Sequence, residues 1–558
     1  ANGVIVIERK KIDGGKRKVS SNSTASIQFP DFSDYDILNA ADKLSYERLA
    51  GLYSSQDNVQ QQLLDSLYNE RLKEVNRGVN TDWMAQPSRV GYSLDNSLRL
   101  FGGSQNTRYE LNARYGSTEG VMKGDYRKRY GLGFVLEYYA PHGLSFTNRT
   151  TYSQVDTKNS PYGSFEQYTW LNPYDRIYDR QGNPNKTLSW DQNNPIYESQ
   201  LGSYYTVGSQ AFSNDFDARW NISRELRLTT HFNLTLAGGE SENFLSPLSG
   251  AFKDETDPSN KGSMAVTNNK GVSYSGNIVF SYNKLFPDKS LLSLNAGGNL
   301  NHVDTRTESF KGIGFYSDAL RFINFASSYP AGSKPGGAQD LNADVAGFAN
   351  LNYIYNNRYY FDGVYQVSGS SKFGANNRYG NFWSAGLGWN LHNEKMIRAG
   401  WINLLKIRSS VGYTGKVSFD SYQALTTYTY SNDLNYLNGT GAVPITIGNP
   451  DLKWERTLNY NLGVDISLWN NRFNFTADIY KRITTDLLID KTLAPSTGTM
   501  TGKDNLGEME NKGVEIRMDG YVIDNKKVLW QLGVNATHNK NKILKISEAL
   551  KKQNEINN

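Results

Sequence analysis

The stretch NYNLGVDISLWNNRFNFTADIYKR, residues 459 to 482, alternates so strictly that it allows only two β-strands around a tight turn. Tyr460, Leu462, Val464, Ile466 and Leu468 share one face, and Asn461, Gly463, Asp465 and Ser467 the other, because successive strand side chains point to opposite sides. After Asn470 and Asn471 the parity flips. Phe473, Phe475, Ala477 and Ile479 then carry the apolar face against Arg472, Asn474, Thr476 and Asp478, as a two-residue hairpin connection arranges them.

The same unit recurs along the whole chain. Tyr109, Leu111, Ala113 and Tyr115 alternate with Glu110, Asn112 and Arg114; Phe216, Ala218, Trp220 and Ile222 with Asp217, Arg219 and Asn221; Trp383, Ala385, Leu387 and Trp389 with Ser384, Gly386 and Gly388. About 17 such segments are present, many near the 9 to 11 residues that a tilted strand needs to cross a bilayer. At 558 residues the length alone suggests three or four domains, but the uniform pattern argues for one continuous all-β unit.

Connections alternate short and long. Short ones are GGSQNT after Phe101, PHG at 141 to 143, SREL at 223 to 226, PDKS at 287 to 290 and the Asn pairs at 356 and 470; long excursions fall at about 155–214, 239–272, 304–344, 416–452 and 488–511. Transmembrane barrels have this asymmetry, with short turns at one end and long loops at the other. Charge agrees with it. Slipping the strand around Phe216 by one residue would turn Asp217 and Arg219 into lipid, at about 2–4 kcal/mol for an Arg near the midplane. The apolar face is therefore expected to meet hydrocarbon and the opposite face a wet lumen. One region is not strand: VQQQLLDSLYNERLKEV reads as an amphipathic helix, with ILNAADKLSYERLAGLY a weaker one before it.

Composition narrows the function. Only 38% of residues are hydrophobic, and no stretch approaches the roughly 18 apolar residues of a spanning helix. The net charge of +5 is interspersed, so no nucleic-acid partner is indicated. Zero cysteines exclude a disulfide framework and a thiolate metal site. His142, His231, His302, His392 and His538 lie on separate segments without ligand spacing, and GYTGK at 412–416 lacks the first glycine and the terminal Ser or Thr of a phosphate loop. Carboxylates at Asp31, Asp34 and Asp36 offer oxygen ligands to calcium, against the plainer reading of a solvated loop; otherwise no cofactor is called for. The opening ANGVIVIERKK has no secretory signal pattern.

The excursion at 155–214 is the most suggestive binding element. Tyr162, Tyr168, Trp170, Tyr174, Tyr178 and Trp190 are interleaved with Asp, Asn, Gln and Arg, a mixture that stacks on sugar rings or grips peptides. The alternative is that these rings pack the loops together or sit in the interfacial girdle. Glu110, Arg114, Asp217, Arg219, Arg408, Glu515 and Arg517 are expected to line the lumen or to contact a plug within it.

ANGVIVIERKKIDGGKRKVSSNSTASIQF, NTDW at 80–83, LRLFGGSQNTRYELNARYGSTEGV at 98–121, GSSKFGANNRYGNFWSAGLGWNLHNEKM at 369–396, LKIRSSVGYTGK at 405–416, NPDLKWERTLNYNLGVDISLWNNRFNFTADIYKRITTDLLI at 449–489 and NLGEMENKGVEI at 505–516 together resemble the SusC-like and RagA-like TonB-dependent outer-membrane transporters. Ser368 and Lys416 depart from the family pattern, which usually has Asp and Asn there. The resemblance implies a transmembrane antiparallel β-barrel of 22 strands around a plug, in the outer membrane of a Gram-negative, Bacteroidetes-type bacterium. It implies residues 1–7 as the last plug strand, 8–17 as a linker and 18–558 as a barrel carrying a helical insertion at about 37–76. Its final strands are then missing, and the sequence is expected to be one piece of a larger whole. The implied activity is active import of oligosaccharides or peptides, without covalent chemistry. The implied partners are a SusD-like lipoprotein lid, the TonB-ExbB-ExbD complex, outer-membrane lipid and further surface lipoproteins. A passive porin or adhesin, or a soluble carbohydrate-binding β-protein, are the competing readings.

Overall fold

The computed structural model describes residues 12, 14–397, 399–417, 419–436, 439–524, 527–546 and 551. The proposed plug strand at 1–7 lies outside them, as does half of the linker at 8–17. The strands are β1 (Gly15–Gln28), β2 (Gly91–Gly103), β3 (Thr107–Glu119), β4 (Tyr126–Tyr139), β5 (Leu144–Lys158), β6 (Tyr204–Asn221) and β7 (Leu226–Leu245). They continue as β8 (Ser263–Leu285), β9 (Leu291–Ile313), β10 (Gly336–Tyr355), β11 (Tyr359–Ser370), β12 (Tyr379–Asn390) and β13 (Ile402–Lys416). After a small hairpin of β14 (Thr427–Tyr436) and β15 (Gly439–Thr446) come β16 (Glu455–Leu468), β17 (Phe473–Thr492), β18 (Thr501–Asp524) and β19 (Leu529–Lys545).

Seventeen of these form one antiparallel sheet. Each ladder joins neighbours along the chain, with β13 pairing directly to β16. Among the described residues β1 is laddered only to β2 and β19 only to β18, and both strands are exposed along their whole length. The first ladder begins at Gly15, inside the stretch expected as linker.

Register holds the two faces apart around the sheet. Leu111 stands opposite Leu100 and Phe134, Phe216 opposite Phe232, Leu387 opposite Phe361, and Leu462 opposite Ile479. Apart from the half-buried Leu100 these side chains are exposed: Leu387 is 63% and Leu462 52% accessible, so no second sheet among the described residues covers them. An apolar surface of this extent needs a nonpolar solvent.

The strands run longer than the spacing predicts. β8 and β9 have 23 residues each and β18 has 24, so much of the expected long loops is ladder. The apolar face nevertheless keeps bilayer length. Along β6 it runs from Trp220 to Phe212, and along β9 from Leu294 to His302, before Asp304, Arg306 and Glu308 take over the same face. Beyond that height the strands stand in water as paired ribbons. Aromatic rings mark both borders: Tyr355, Tyr359 and Trp389 stack at the short-turn end, while Tyr274 stacks on His302 at 4.6 Å toward the other.

The turn after Leu468 has four residues instead of two. Leu468 pairs with Phe473, and Trp469, Asn470 and Asn471 all have positive φ. Trp469 donates its amide to the Trp401 carbonyl and stacks on that indole at 5.8 Å, which draws the extra residues out of the ladder.

All the large excursions leave one end of the sheet. The first, between β1 and β2, carries α1 (Ala40–Leu49) and α2 (Asn58–Asn76), each opened by an Asn or Asp cap. Leu64 is buried and Leu67, Tyr68, Leu72 and Val75 pack with it, whereas Val59 and Leu63 of the same stripe are exposed. Near Asp31 the carboxylate accepts the Ser33 amide at 3.0 Å, closing a local turn.

Candidate functional site

Two regions have the chemistry of a binding site: the polar face of the sheet and the cap formed by the excursions. All seven expected lumen residues fall on the polar face. Glu110 stands opposite Val135, Arg114 opposite Gly131, Asp217 opposite His231 and Arg219 opposite Thr229, while Arg408 and Asp478 flank Gly463 and Glu515 adjoins Asp478. Arg517 lies one step further along the same face, beside Asp519 at 3.4 Å.

Ion pairs run across this face. Arg99 Nη2 meets Glu110 Oε2 at 2.5 Å, and beside these pairs His231 Nδ1 hydrogen-bonds Asp217 Oδ1 at 2.8 Å. Arg408 is held most fully, with Nε on Asp465 Oδ2 at 3.0 Å and both Nη atoms on Asp478 at 2.7 Å. Arg129 bonds Asp95 across an intervening strand at 2.6 Å. In both of the last cases a glycine occupies the middle strand. A Cβ at Gly463 would lie 2.6 Å from Arg408 Cζ, and one at Gly116 2.4 Å from Asp95 Oδ1. Of the partners, the alternation singles out Asp465 and Asp478 by polar parity but not Asp95, Arg99 or Arg129; the pairing of all five depends on register.

Ile12 shows what this face can hold. It is 3% exposed, and its carbonyl accepts from Arg108 Nη1 at 3.0 Å. The cavity around it, about 680 Å3, is lined by Arg99, Glu110, Arg149, Asp217 and Arg219 among others, so three of the expected residues converge there. Glu515, Arg517 and Arg408 lie on strands far from this cavity in the sheet order.

In the cap the expected aromatics divide. Tyr168 is 1% exposed, packed among Trp83, Leu171, Leu188 and Ile196, with its hydroxyl on the Tyr162 carbonyl at 2.9 Å. Tyr174 is 2% exposed in the core built on α1 and α2. Its hydroxyl donates to Glu47 Oε2 at 2.8 Å and accepts from Trp190 Nε1 at 3.2 Å. Neither ring has a face for a ligand, and the reading of both as binding residues is corrected: Tyr174 holds the excursion onto the helices, and Tyr168 packs the excursion onto itself and Trp83. Burial pushes both hydroxyls well above the usual phenol range, so both stay protonated donors.

Arg71 completes that core. Its guanidinium lies over Trp190 at 4.1 Å and donates to the Tyr53 hydroxyl, which in turn donates to Glu47. Trp190 and Asp191 both have φ of 58°, a strained backbone fixed by these contacts and by Lys253 on Asp191. Trp190 is thus mainly a packing residue with one edge open. Trp170 at 70% and Tyr178 at 45% are accessible, and Tyr162 is half-buried near Lys123.

A sheet of this kind, apolar over bilayer height on one face, ion-paired on the other and capped at one end, is the wall of an outer-membrane β-barrel. The chain belongs to the family described as TonB dependent receptor-like, beta-barrel, whose profile matches residues 31–558. It is similar to TonB-dependent receptor P39 of Formosa agariphila, at 25% identity over 98% of this chain and 51% of that protein. It is similar also to TonB-dependent receptor SusC of Bacteroides thetaiotaomicron, at 26% identity over 98% of this chain and 55% of that one. The chain therefore spans about half the length of the curated relatives it matches. Its fold matches that of the RagAB peptide transporter, with a TM-score of 0.69 and 20% identity, covering 95% of this chain and 61% of that one. These matches place the chain in the outer membrane.

Proposed function

We propose that this chain is barrel wall and loop cap of a SusC-like importer of oligosaccharides or peptides, energised through TonB and closed outside by a SusD-like lipoprotein. The observation that carries it is the polar face: charged side chains on β2–β7 and on β13 and β16–β18 share it, several of them ion-paired, and Ile12 is seated against it. Paired charges give a wet path without unpaired buried ions. Strands outside this chain close the sheet between β1 and β19, whose edges would otherwise expose backbone groups to lipid. The segment before β1 continues into a plug that fills the lumen, and the accessible Trp170 and Tyr178 face incoming ligand.

Uptake assays on cells expressing the complete receptor test this reading. Accumulation of a labelled oligosaccharide or peptide library should depend on the gene and collapse when the proton gradient is dissipated. Uptake that persists without the gradient would identify a passive pore instead.

A further inference from the structure

The outward face of β17, β18 and β19 carries a feature that transport does not use. Lys481 stands directly opposite Lys512, and Lys512 directly opposite Lys540, so three ammonium groups lie in a row across adjacent strands. Lys542 joins them opposite Glu510, and Glu510 bonds Lys481 at 2.9 Å and Lys512 at 3.7 Å. Like charges directly opposed on one sheet face repel. One carboxylate among four lysines leaves the row strongly cationic.

Its height is informative. Below the row, toward the short turns, the same face reads Ile479, Val514 and His538, then Ala477, Ile516 and Ala536, all within the apolar band. The lysines thus end the band on the side of the long excursions, which is the outer leaflet's headgroup level. Under them lies a groove of about 780 Å3 whose floor includes Val411, Tyr460, Leu462, Ile479 and Val514, with the three lysines at its rim. Tyr460, Leu462 and Ile479 are each about half exposed. An apolar trough ending in a cationic row matches one type of molecule: acyl chains joined to a phosphate.

We propose that this groove is a specific binding site for a phosphorylated lipid of the outer leaflet, the phosphate held by Lys481, Lys512 and Lys540 and the acyl chains lying against Leu462, Ile479 and Val514. The bound anion offsets the repulsion within the row, so the lipid fastens three strands together at the membrane border. Lysine stems reach along apolar surface while their ammonium groups stay at headgroup level, which suits them to this position.

Native mass spectrometry of the complete, detergent-purified receptor tests the site, with lipid A and enzymatically dephosphorylated lipid A as the probes. The phosphorylated form should bind at least tenfold more tightly, and the triple variant Lys481→Gln, Lys512→Gln, Lys540→Gln should lose that preference while Lys512→Arg keeps it. The two-probe comparison on the unaltered receptor stands even if the triple variant fails to fold. Equal binding of both probes, an unchanged preference in a folded triple variant, or displacement of the lipid by millimolar inorganic phosphate would each overturn the proposal.

Discussion

Arg408 on β13 grips Asp478 on β17 through two bonds of 2.7 Å, reaching over β16 at the one residue there that has no side chain, Gly463. The pair is half-shielded, with side-chain exposures of 33% and 18%, so its strength depends on undistorted two-point geometry. Gly463→Ala should push the guanidinium off both aspartates and cost about 1–3 kcal/mol, the range for overpacking a filled site. Urea unfolding of the receptor in detergent would measure it. An unchanged midpoint would mean that Arg408 and its partners relax around the methyl group.

That arrangement also marks the limit of what the sequence discloses. The alternation around Leu462 and Phe475 sets parity, and parity alone places Arg408, Gly463 and Asp478 on one face. It does not say that residue 408 faces residue 463, because register is set by turns of uncertain length, and the turn after Leu468 is two residues longer than its Asn pair suggests. Strand ends are likewise hidden: Lys270 and Arg306 are polar enough to read as loop, yet they lie opposite one another in a ladder. In the excursion at 159–203, composition cannot distinguish a ring that meets ligand from one that meets α1, so Tyr174 and Trp170 looked alike. Burial separates them.

Those two fates lead to opposite outcomes on truncation. Tyr168→Ala removes a ring that is 1% exposed and should destabilise the cap by about 3–5 kcal/mol, as for other large core rings. Trp170→Ala removes one that is 70% exposed and should leave stability within about 0.5 kcal/mol while lowering substrate affinity. Limited proteolysis at 159–203 reports the first effect, and ligand titration of the intact receptor the second. Loss of affinity in Trp170→Ala accompanied by new proteolytic cleavage would refute the division.

The tie between α2 and the excursion responds to acid. Arg176 hydrogen-bonds Glu74 and holds its carboxyl below the usual 4.5; slight burial works against this, and Arg77 adds to it. Because the folded-state value is depressed, the stabilisation is complete above the ordinary value and is lost as pH falls through the lowered one. Hydrogen exchange at 170–190 should therefore accelerate as pH falls from above the ordinary 4.5 through the lowered value, by an amount worth roughly 0.5–1 kcal/mol for a solvent-screened pair, and Glu74→Gln should remove that step. Asp175 runs the other way. Burial raises its carboxyl pKa despite bonds from Ser189, so its contribution is present at low pH and fades as pH rises through the raised value. Asp175→Asn should leave the acid step intact, which assigns the step to Glu74.

Leu387 stands in the middle of the outward band of β12, with Trp389 and Trp383 to either side on the same face and Phe361 beside it on β11. In water a 63% exposed leucine is inert to substitution; in hydrocarbon its replacement by a charge is not. Leu387→Arg should cost about 2–4 kcal/mol in a bilayer, the figure for an arginine near the midplane, whereas Asp217→Asn on the opposite face exchanges one polar group for another beside His231 and should change stability by less than about 1 kcal/mol. Refolding both variants into lipid vesicles, with denaturant titration of each, gives the two numbers in the same solvent. Equal small losses would mean that Leu387 does not face lipid, and the assignment of inner and outer faces would fall with it.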